Sequence, residues 1–488
     1  MTQSSVEPKT TSEDAGNGSR NPAGRSWLDR YFHISERGST VATEIRGGVT
    51  TFMAMAYILL LNPLILSGKD VDGNVLSQPA LITATALCAA ATTLLMGFWG
   101  KVPLALAAGL SVSGVMASQV VPVMTWPQAM GMSVAYGAVI CLLVVTGLRE
   151  MIMNAIPLAL KHAITIGIGL FIAIIGFVKA GFVHENPAPG GGPVSLGPAG
   201  ELEGWPVLIF AVTLLLIFAL QARNVPGAIL IGIVVGTLVA VVLNAVADIP
   251  GKAWFSGPPE LDGSAVSAPD FSLLGNVSFS GWGDVGYITI TMIVFTLVLA
   301  GFFDAMATIL GVGTEAKLAD EQGRMPGLSK ALFIDGAGGI LGGAGGASGQ
   351  TVFVESATGV GEGARTGLAS VVTGGFFALC LFFTPLTAIV PQEVAAAALV
   401  VIGSMMMQNA KHVDWSDRSV AIPVFLTVVL MPFTYTITTG VAAGVISYAV
   451  IKSAQGKARE VGGFMWALTG VFVVYFAIHP IESWLGVG

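Results

Sequence analysis

Apolar runs long enough to cross a bilayer recur along this 488-residue chain, separated by turns that carry most of its charges. A helical span takes about 20 apolar residues, and fewer where a half-helix is buried in protein. On that rule spans are expected at 47–66, 79–99, 103–121, 127–147, 157–179, 205–222 and 226–247. After a long polar loop come 286–310, 329–346, 348–362, 366–390, 392–408, 418–433 and 435–452. That makes fourteen, and 463–485 is a further apolar segment with no assigned place.

The loop from Asp248 to Asp284 carries Glu260, Asp262 and Asp270 and divides the spans seven and seven. Its acidity places it outside. With the amino terminus cytoplasmic, Arg46, Lys101, Arg149, Lys161, Arg223, Lys317, Arg365, Lys411 and Lys452 then fall on the inner side, as the positive-inside rule asks. Seven is odd, so the second set runs opposite to the first, which is an inverted-topology repeat. Trp205-Pro206-Val-Leu-Ile-Phe echoes Ile422-Pro423-Val-Phe-Leu-Thr, and Ile156-Pro157 echoes Val390-Pro391.

The third span of each half, 103–121 and 348–362, is short and interrupted by glycine (Gly109 and Gly114; Gly349 and Gly359). In both, an extended run precedes a helix start: Val102 to Ala108 before Gly109, and Gln350 to Val354 before Glu355. Short, glycine-broken spans at matching positions point to a substrate site near the midplane. The expected fold is an all-α integral membrane protein of fourteen transmembrane segments. They form a 7+7 inverted repeat with two broken helices, each a short strand plus a half-helix.

Composition agrees. Hydrophobic residues make up 54% and charged residues 10%, where a soluble domain carries about 25% charge. Mean hydropathy is +0.79. A net charge of −7 supplies no basic surface for nucleic acid. Cys88, Cys141 and Cys380 all lie inside apolar spans, so neither disulfides nor thiolate metal sites are expected. Residues 1–43 are polar, without an apolar core, and read as a disordered cytoplasmic tail.

Charged groups at membrane depth are costly, so each is a functional candidate. Glu355, at a half-helix start in Ser348-Gly-Gln-Thr-Val-Phe-Val-Glu-Ser, is the leading one: a carboxylate there can accept N–H bonds from a neutral heterocycle. Asp304, in the eighth span, is a candidate proton carrier, with Gly301 one turn earlier on the same face. Gln350, Ser113 and Phe353 join Glu355 and Gly301 as substrate-site candidates, and Asp335 and Thr51 are assigned to the structural core. The five histidines show no metal-ligand spacing. Gly338-Gly-Ile-Leu-Gly-Gly-Ala-Gly-Gly346 lacks the Lys-Ser/Thr of a phosphate loop and suits close helix packing instead. A membrane enzyme would need a nucleophile and base within reach, and the midplane offers no Ser-His pair.

Four strings carry a family resemblance: Gly48 to Pro63 (GVTTFMAMAYILLLNP), Phe303 to Val312 (FDAMATILGV), Val354 to Val360 (VESATGV) with Arg365-Thr-Gly, and Ile422 to Thr434 (IPVFLTVVLMPFT). They resemble the AzgA-like adenine/guanine/hypoxanthine permeases of the nucleobase-cation symporter-2 (xanthine/uracil permease) group. The resemblance implies a core domain of spans 1–4 (44–148) and 8–11 (285–390), and a gate domain of spans 5–7 (149–250) and 12–14 with the C-terminal segment (391–488), the loop 251–284 lying outside. It implies uptake of a purine nucleobase coupled to a proton (or sodium), without a cofactor, by elevator movement in the inner (plasma) membrane. A homodimer through the gate is often part of the pattern.

By position, Glu355 matches the family's substrate-binding glutamate, and Asp304 the second Asp of its Asp-x-x-Asp. Gly301 stands where the first Asp is usual, Ala108-Gly-Leu-Ser-Val-Ser113 where Pro-Gly-x-Gly-x-Asn is usual, and Gly349-Gln350 where a threonine-rich run is usual. Losing an Asp and an Asn alters which N–H edges the pocket can read. The same scaffold carrying another small polar metabolite or an anion is the alternative.

Overall fold

Thr40 opens the first long helix: its hydroxyl accepts from the Thr43 N–H at 3.2 Å, satisfying one orphan donor of the first turn. The computed structural model describes residues 26–148, 156–186, 194–197, 201–247, 249–254, 258–259, 264–318 and 327–485. Helix α1 is Trp27–Phe32, α2 Val41–Met55, α3 Ile58–Ile65 and α4 Gln78–Leu95. Strand β1 (Leu106–Ala108) leads into α5 (Leu110–Val115), followed by α6 (Trp126–Val145) and α7 (Leu158–Lys179). A hairpin of β2 (Val183–Glu185) and β3 (Val194–Leu196) precedes α8 (Trp205–Ala222) and α9 (Ala228–Ala247).

The second half holds α10 (Trp282–Val285), α11 (Tyr287–Glu315), α12 (Leu328–Ala344), β4 (Gln350–Val352) and α13 (Ser356–Gly361). It ends with α14 (Gly367–Cys380), α15 (Thr384–Ala388), α16 (Gln392–Met406), α17 (Arg418–Thr434), α18 (Ile437–Ala454) and α19 (Gly463–Leu485). Among the described residues, eight spans have the length and apolarity to cross a membrane as continuous or nearly continuous helices. The broken spans and several shorter apolar helices supply the others.

Helices pack most closely in two groups. In one, α6 packs on α12, α2 and α4 pack on α14, and α13 lies along α2. In the other, α7 packs on α16 and α17, α17 on α18, and α8 and α9 on α16. Only 33% of the apolar window of α8 and of α9 is buried, against 72% for α2–α3 and for α4, so α8 and α9 form the periphery. The third and tenth spans, seven apart, meet as antiparallel strands β1 and β4, the relation an inverted repeat requires.

Three segments differ from expectation. From Ser26 onward the expected tail is folded: Phe32 and Ile34 bury beside Leu368, and the Tyr31 hydroxyl donates to the Phe98 carbonyl at 3.0 Å. Residues 1–25 lie outside the described set. The span expected at 366–390 divides into α14 and α15, with Pro385 in the first turn of α15, where its missing N–H would have no partner in the helix anyway. The segment 463–485, which had no assigned place, forms α19, which packs on α18 and buries Met465, Leu468 and Phe472.

The loop before α4 is held by Asp70. Its carboxylate accepts from Asn74 N at 2.8 Å, Asp72 N at 3.1 Å and Trp126 N at 3.1 Å, tying the loop to the start of α6. Burial opposes ionisation of Asp70, yet these donors outweigh it and hold its pKa below the usual carboxylate value. A depressed folded-state pKa contributes stability above the unfolded pKa of about 3.9, and that stability is lost as pH falls through the folded value. Asp70→Asn should therefore lower the melting temperature at pH 7, by about 1–2 kcal/mol in stability, and the gap to the unsubstituted protein should close below about pH 4 in a melting series.

Candidate functional site

Thr351 and Val352 favour extended backbone, and in β4 they pair with β1 in the register Leu106↔Val352, Ala107↔Thr351, Ala108↔Gln350. The Gly109 N–H donates to the Gly349 carbonyl at 2.9 Å and the Phe353 N–H to the Ala105 carbonyl at 3.0 Å. Backbone released from a helix at membrane depth must find other partners. Buried side chains supply them. The Thr93 hydroxyl donates to the Leu106 carbonyl at 2.8 Å and accepts from its N–H at 2.9 Å, and Ser356 Oγ accepts from Ala105 N at 3.0 Å. Asp335 Oδ1 accepts from the Thr351 hydroxyl at 2.9 Å and from Val352 N at 3.3 Å.

The strand pair delivers Phe353, Val354 and Glu355 to one end of a cavity of about 380 Å³. Glu355 stands at the N-cap of α13. Tyr57, in the break between α2 and α3, donates its hydroxyl to Glu355 Oε1. Its ring lies 6.5 Å from that of Phe353, centroid to centroid. Close crossing of α2 and α13 permits this contact: a Cβ on Gly359 would fall 2.4 Å from the Gly47 carbonyl oxygen.

Leu110, Ser111, Thr308 and Val352 complete this wall, and the facing wall comes from the other helix group. Thr165 and Ile172 of α7, Ile402, Met405 and Met406 of α16, and Gln408, Asn409, Lys411 and His412 of the turn beyond line it. His162 on α7 pins that turn, its Nδ1 lying 3.3 Å from Asn409 Oδ1 and its ring stacking on His412 at 5.2 Å. A cavity of this size between two packed units, mostly apolar with a few polar groups, suits a small molecule.

Of the residues singled out in the sequence, Glu355 and Phe353 line the cavity. Ser113, Gln350 and Gly301 stand behind its wall. Ser113 donates to Asn62 Oδ1 at 2.7 Å and lies 2.8 Å from Ser348 Oγ, while the Gln350 amide donates to the Ser348 carbonyl at 3.1 Å. A Cβ on Gly301 would meet the Tyr136 ring at 3.3 Å and Val112 at 3.6 Å, so that face of α11 packs on α5 and α6. Thr51 is buried where Gly359 crosses α2. Asp304 lies on α11, its side chain outside the described set.

A sequence model of the Permease family (Xan_ur_permease) matches residues 42–443. The chain belongs to this family. It is a multi-pass membrane transporter, not an enzyme. The permease is 34% identical over 93% of its length to 96% of the adenine permease AdeP of Escherichia coli (strain K12). It is 35% identical over 92% of its length to 99% of the guanine/hypoxanthine permease PbuG of Bacillus subtilis (strain 168). Among solved structures, its fold is that of the transmembrane domain of the cyanobacterial bicarbonate transporter BicA, with TM-score 0.59 and 17% identity over 82% of this chain and 97% of that one. SLC26A9 shares it with TM-score 0.61 and 13% identity over 88% of this chain and 67% of that one.

Sequence reasoning missed several cavity residues of the permease. Tyr57 reads as one more amphipathic residue of an apolar span, though a tyrosine in a span that also carries Asn62-Pro63 was a usable signal. His162 and His412 are 250 positions apart by their numbers, and only the packing of α7 against the turn after α16 brings them together.

Proposed function

We propose that the protein is a secondary active transporter of the inner (plasma) membrane, amino terminus cytoplasmic, that takes up a purine nucleobase with a proton. The supporting observation is the Glu355 carboxylate, held by the Tyr57 hydroxyl and flanked by Phe353, facing a cavity of about 380 Å³. Ring N–H groups of a purine are donors for that carboxylate, Phe353 offers a face to stack on, and Met405 and Met406 adapt to a planar ring. Relatives named as adenine and guanine/hypoxanthine permeases support the same substrate class.

The cavity lies between the two helix groups, so relative movement of core (44–148, 285–390) and gate (149–250, 391–488) exposes it to each side in turn. Asp304 and Glu355 carry the coupling proton, and the gate faces a second copy in a homodimer. Uptake of radiolabelled hypoxanthine, guanine or adenine into cells lacking their own permeases tests the reading. Concentrative uptake, collapsed by a protonophore, is expected; no uptake of any purine by a folded protein sinks it. A small anion is the second reading, favoured by Lys411 and His412 on the cavity wall and opposed by Glu355. In a thermal-shift screen purines should stabilise the protein and bicarbonate or sulfate should not.

A further inference from the structure

Glu355 acts in a setting that the first span supplies as much as the tenth. Span one is interrupted at Ala56-Tyr57, between α2 and α3, and the interruption sets Tyr57 beside the carboxylate rather than along a lipid-facing stripe. Tyr57 is 1% exposed and yet lines the cavity, so its hydroxyl is committed within the site and its ring is fixed by packing. Backbone contact of α2 with α13 at Gly47 and Gly359 fixes the register of the two segments.

We infer that Tyr57 is a positioning residue for ligand recognition: its hydroxyl orients the Glu355 carboxylate toward the N–H edge of a neutral heterocycle. The inference rests on the reading of Glu355 as the substrate-binding carboxylate. A glutamate side chain has three rotatable bonds, and ordering them on binding costs affinity. A hydrogen bond donated to a carboxylate is among the stronger kinds, and here it is already made before ligand arrives. Because Tyr57 and Glu355 ride on the same packed helix group, the bond survives movement of that group against the other. Residues across the cavity, such as Asn409 and Met406, cannot offer this, since they belong to the partner group.

The full-length protein in proteoliposomes tests this with radiolabelled hypoxanthine, guanine and adenine. Tyr57→Phe should raise KM on the order of tenfold, with maximal rate and melting temperature retained. In a Glu355→Asp background, whose shorter side chain falls back from the hydroxyl, Tyr57→Phe should add less than twofold, because its effect runs through the carboxylate. A merely structural role would add its full effect in both backgrounds. Tyr57→Gln, which restores a neutral donor, should recover part of the loss and serves as the reporter if the Phe variant does not fold.

An unchanged KM in Tyr57→Phe, or full additivity with Glu355→Asp, overturns the inference while a dead Glu355→Gln leaves the substrate reading standing. Normal transport by Glu355→Gln overturns both.

Discussion

Glu355→Gln should abolish concentrative uptake, lowering kcat/KM by about 100-fold or more, while the protein still folds and melts normally. The glutamine keeps a carbonyl oxygen for the Tyr57 hydroxyl, so the contact between the first and tenth spans survives. What it loses is the charge. Hydrogen bonds to an ionised group are worth about 1.5–3 kcal/mol, and replacing the acceptor with an amide also turns an N–H toward ligand donors. A site built to accept N–H groups rejects that arrangement strongly. Glu362→Gln is the matched control: it removes a carboxylate that pairs with Arg46 at 2.9 Å, where the side chains are 65% and 37% exposed for Arg46 and Glu362. Exposed pairs contribute about 0–1 kcal/mol, so uptake by that variant should match the unsubstituted protein. Radiolabelled purine uptake with parallel melting curves decides it, and near-normal uptake by Glu355→Gln would remove the carboxylate from the site.

The broken spans were legible because their signals are local. Glycine, β-branched residues and an unexpected glutamate within a few positions of each other announce extended backbone and a polar site, and β4 and α13 form there. The inverted repeat was legible from span count and charge alone. Side-chain direction was not. Gln350 sits beside a glycine-lined surface of α12, where a Cβ on Gly342 would come within 3.0 Å of its amide nitrogen, so the side chain is held behind the strand.

Ser113 faces Asn62 and Ser348 for a similar reason: α5 presents Ser111 to the cavity, and a residue two positions on lies across the helix. The sequence assigns Asp335 to the structural core but does not show what it would hold there. It holds the hydroxyl and N–H of adjacent β4 residues, a role visible only once the strand's own hydrogen-bond needs are counted.

Gly349→Ala should be among the most damaging single methyls that can be added near the site. A Cβ there would fall 1.8 Å from the Tyr136 hydroxyl oxygen and 2.5 Å from two atoms of its ring. Tyr136 is 1% exposed on α6, wedged against α12 at Gly339, so the ring has no vacant direction in which to retreat. The backbone cannot yield cheaply either, since the Gly349 carbonyl accepts the Gly109 N–H that closes the β1–β4 pair. Overpacking of a fitted core costs about 1–3 kcal/mol and occasionally more, and this site is at the upper end because both neighbours are fixed. The loss should reach the cavity as well, because displacing Gly349 moves the strand that carries Phe353 and Glu355. Gly375→Ala on α14 provides the opposite sign: nothing lies within 4 Å of its added Cβ, and alanine is the better helix former by about 1 kcal/mol. Melting curves and gel filtration of the two variants should diverge, Gly349→Ala losing several degrees and its monodisperse peak while Gly375→Ala holds or gains. Equal behaviour of the two would mean that Tyr136 is not packed against the start of β4.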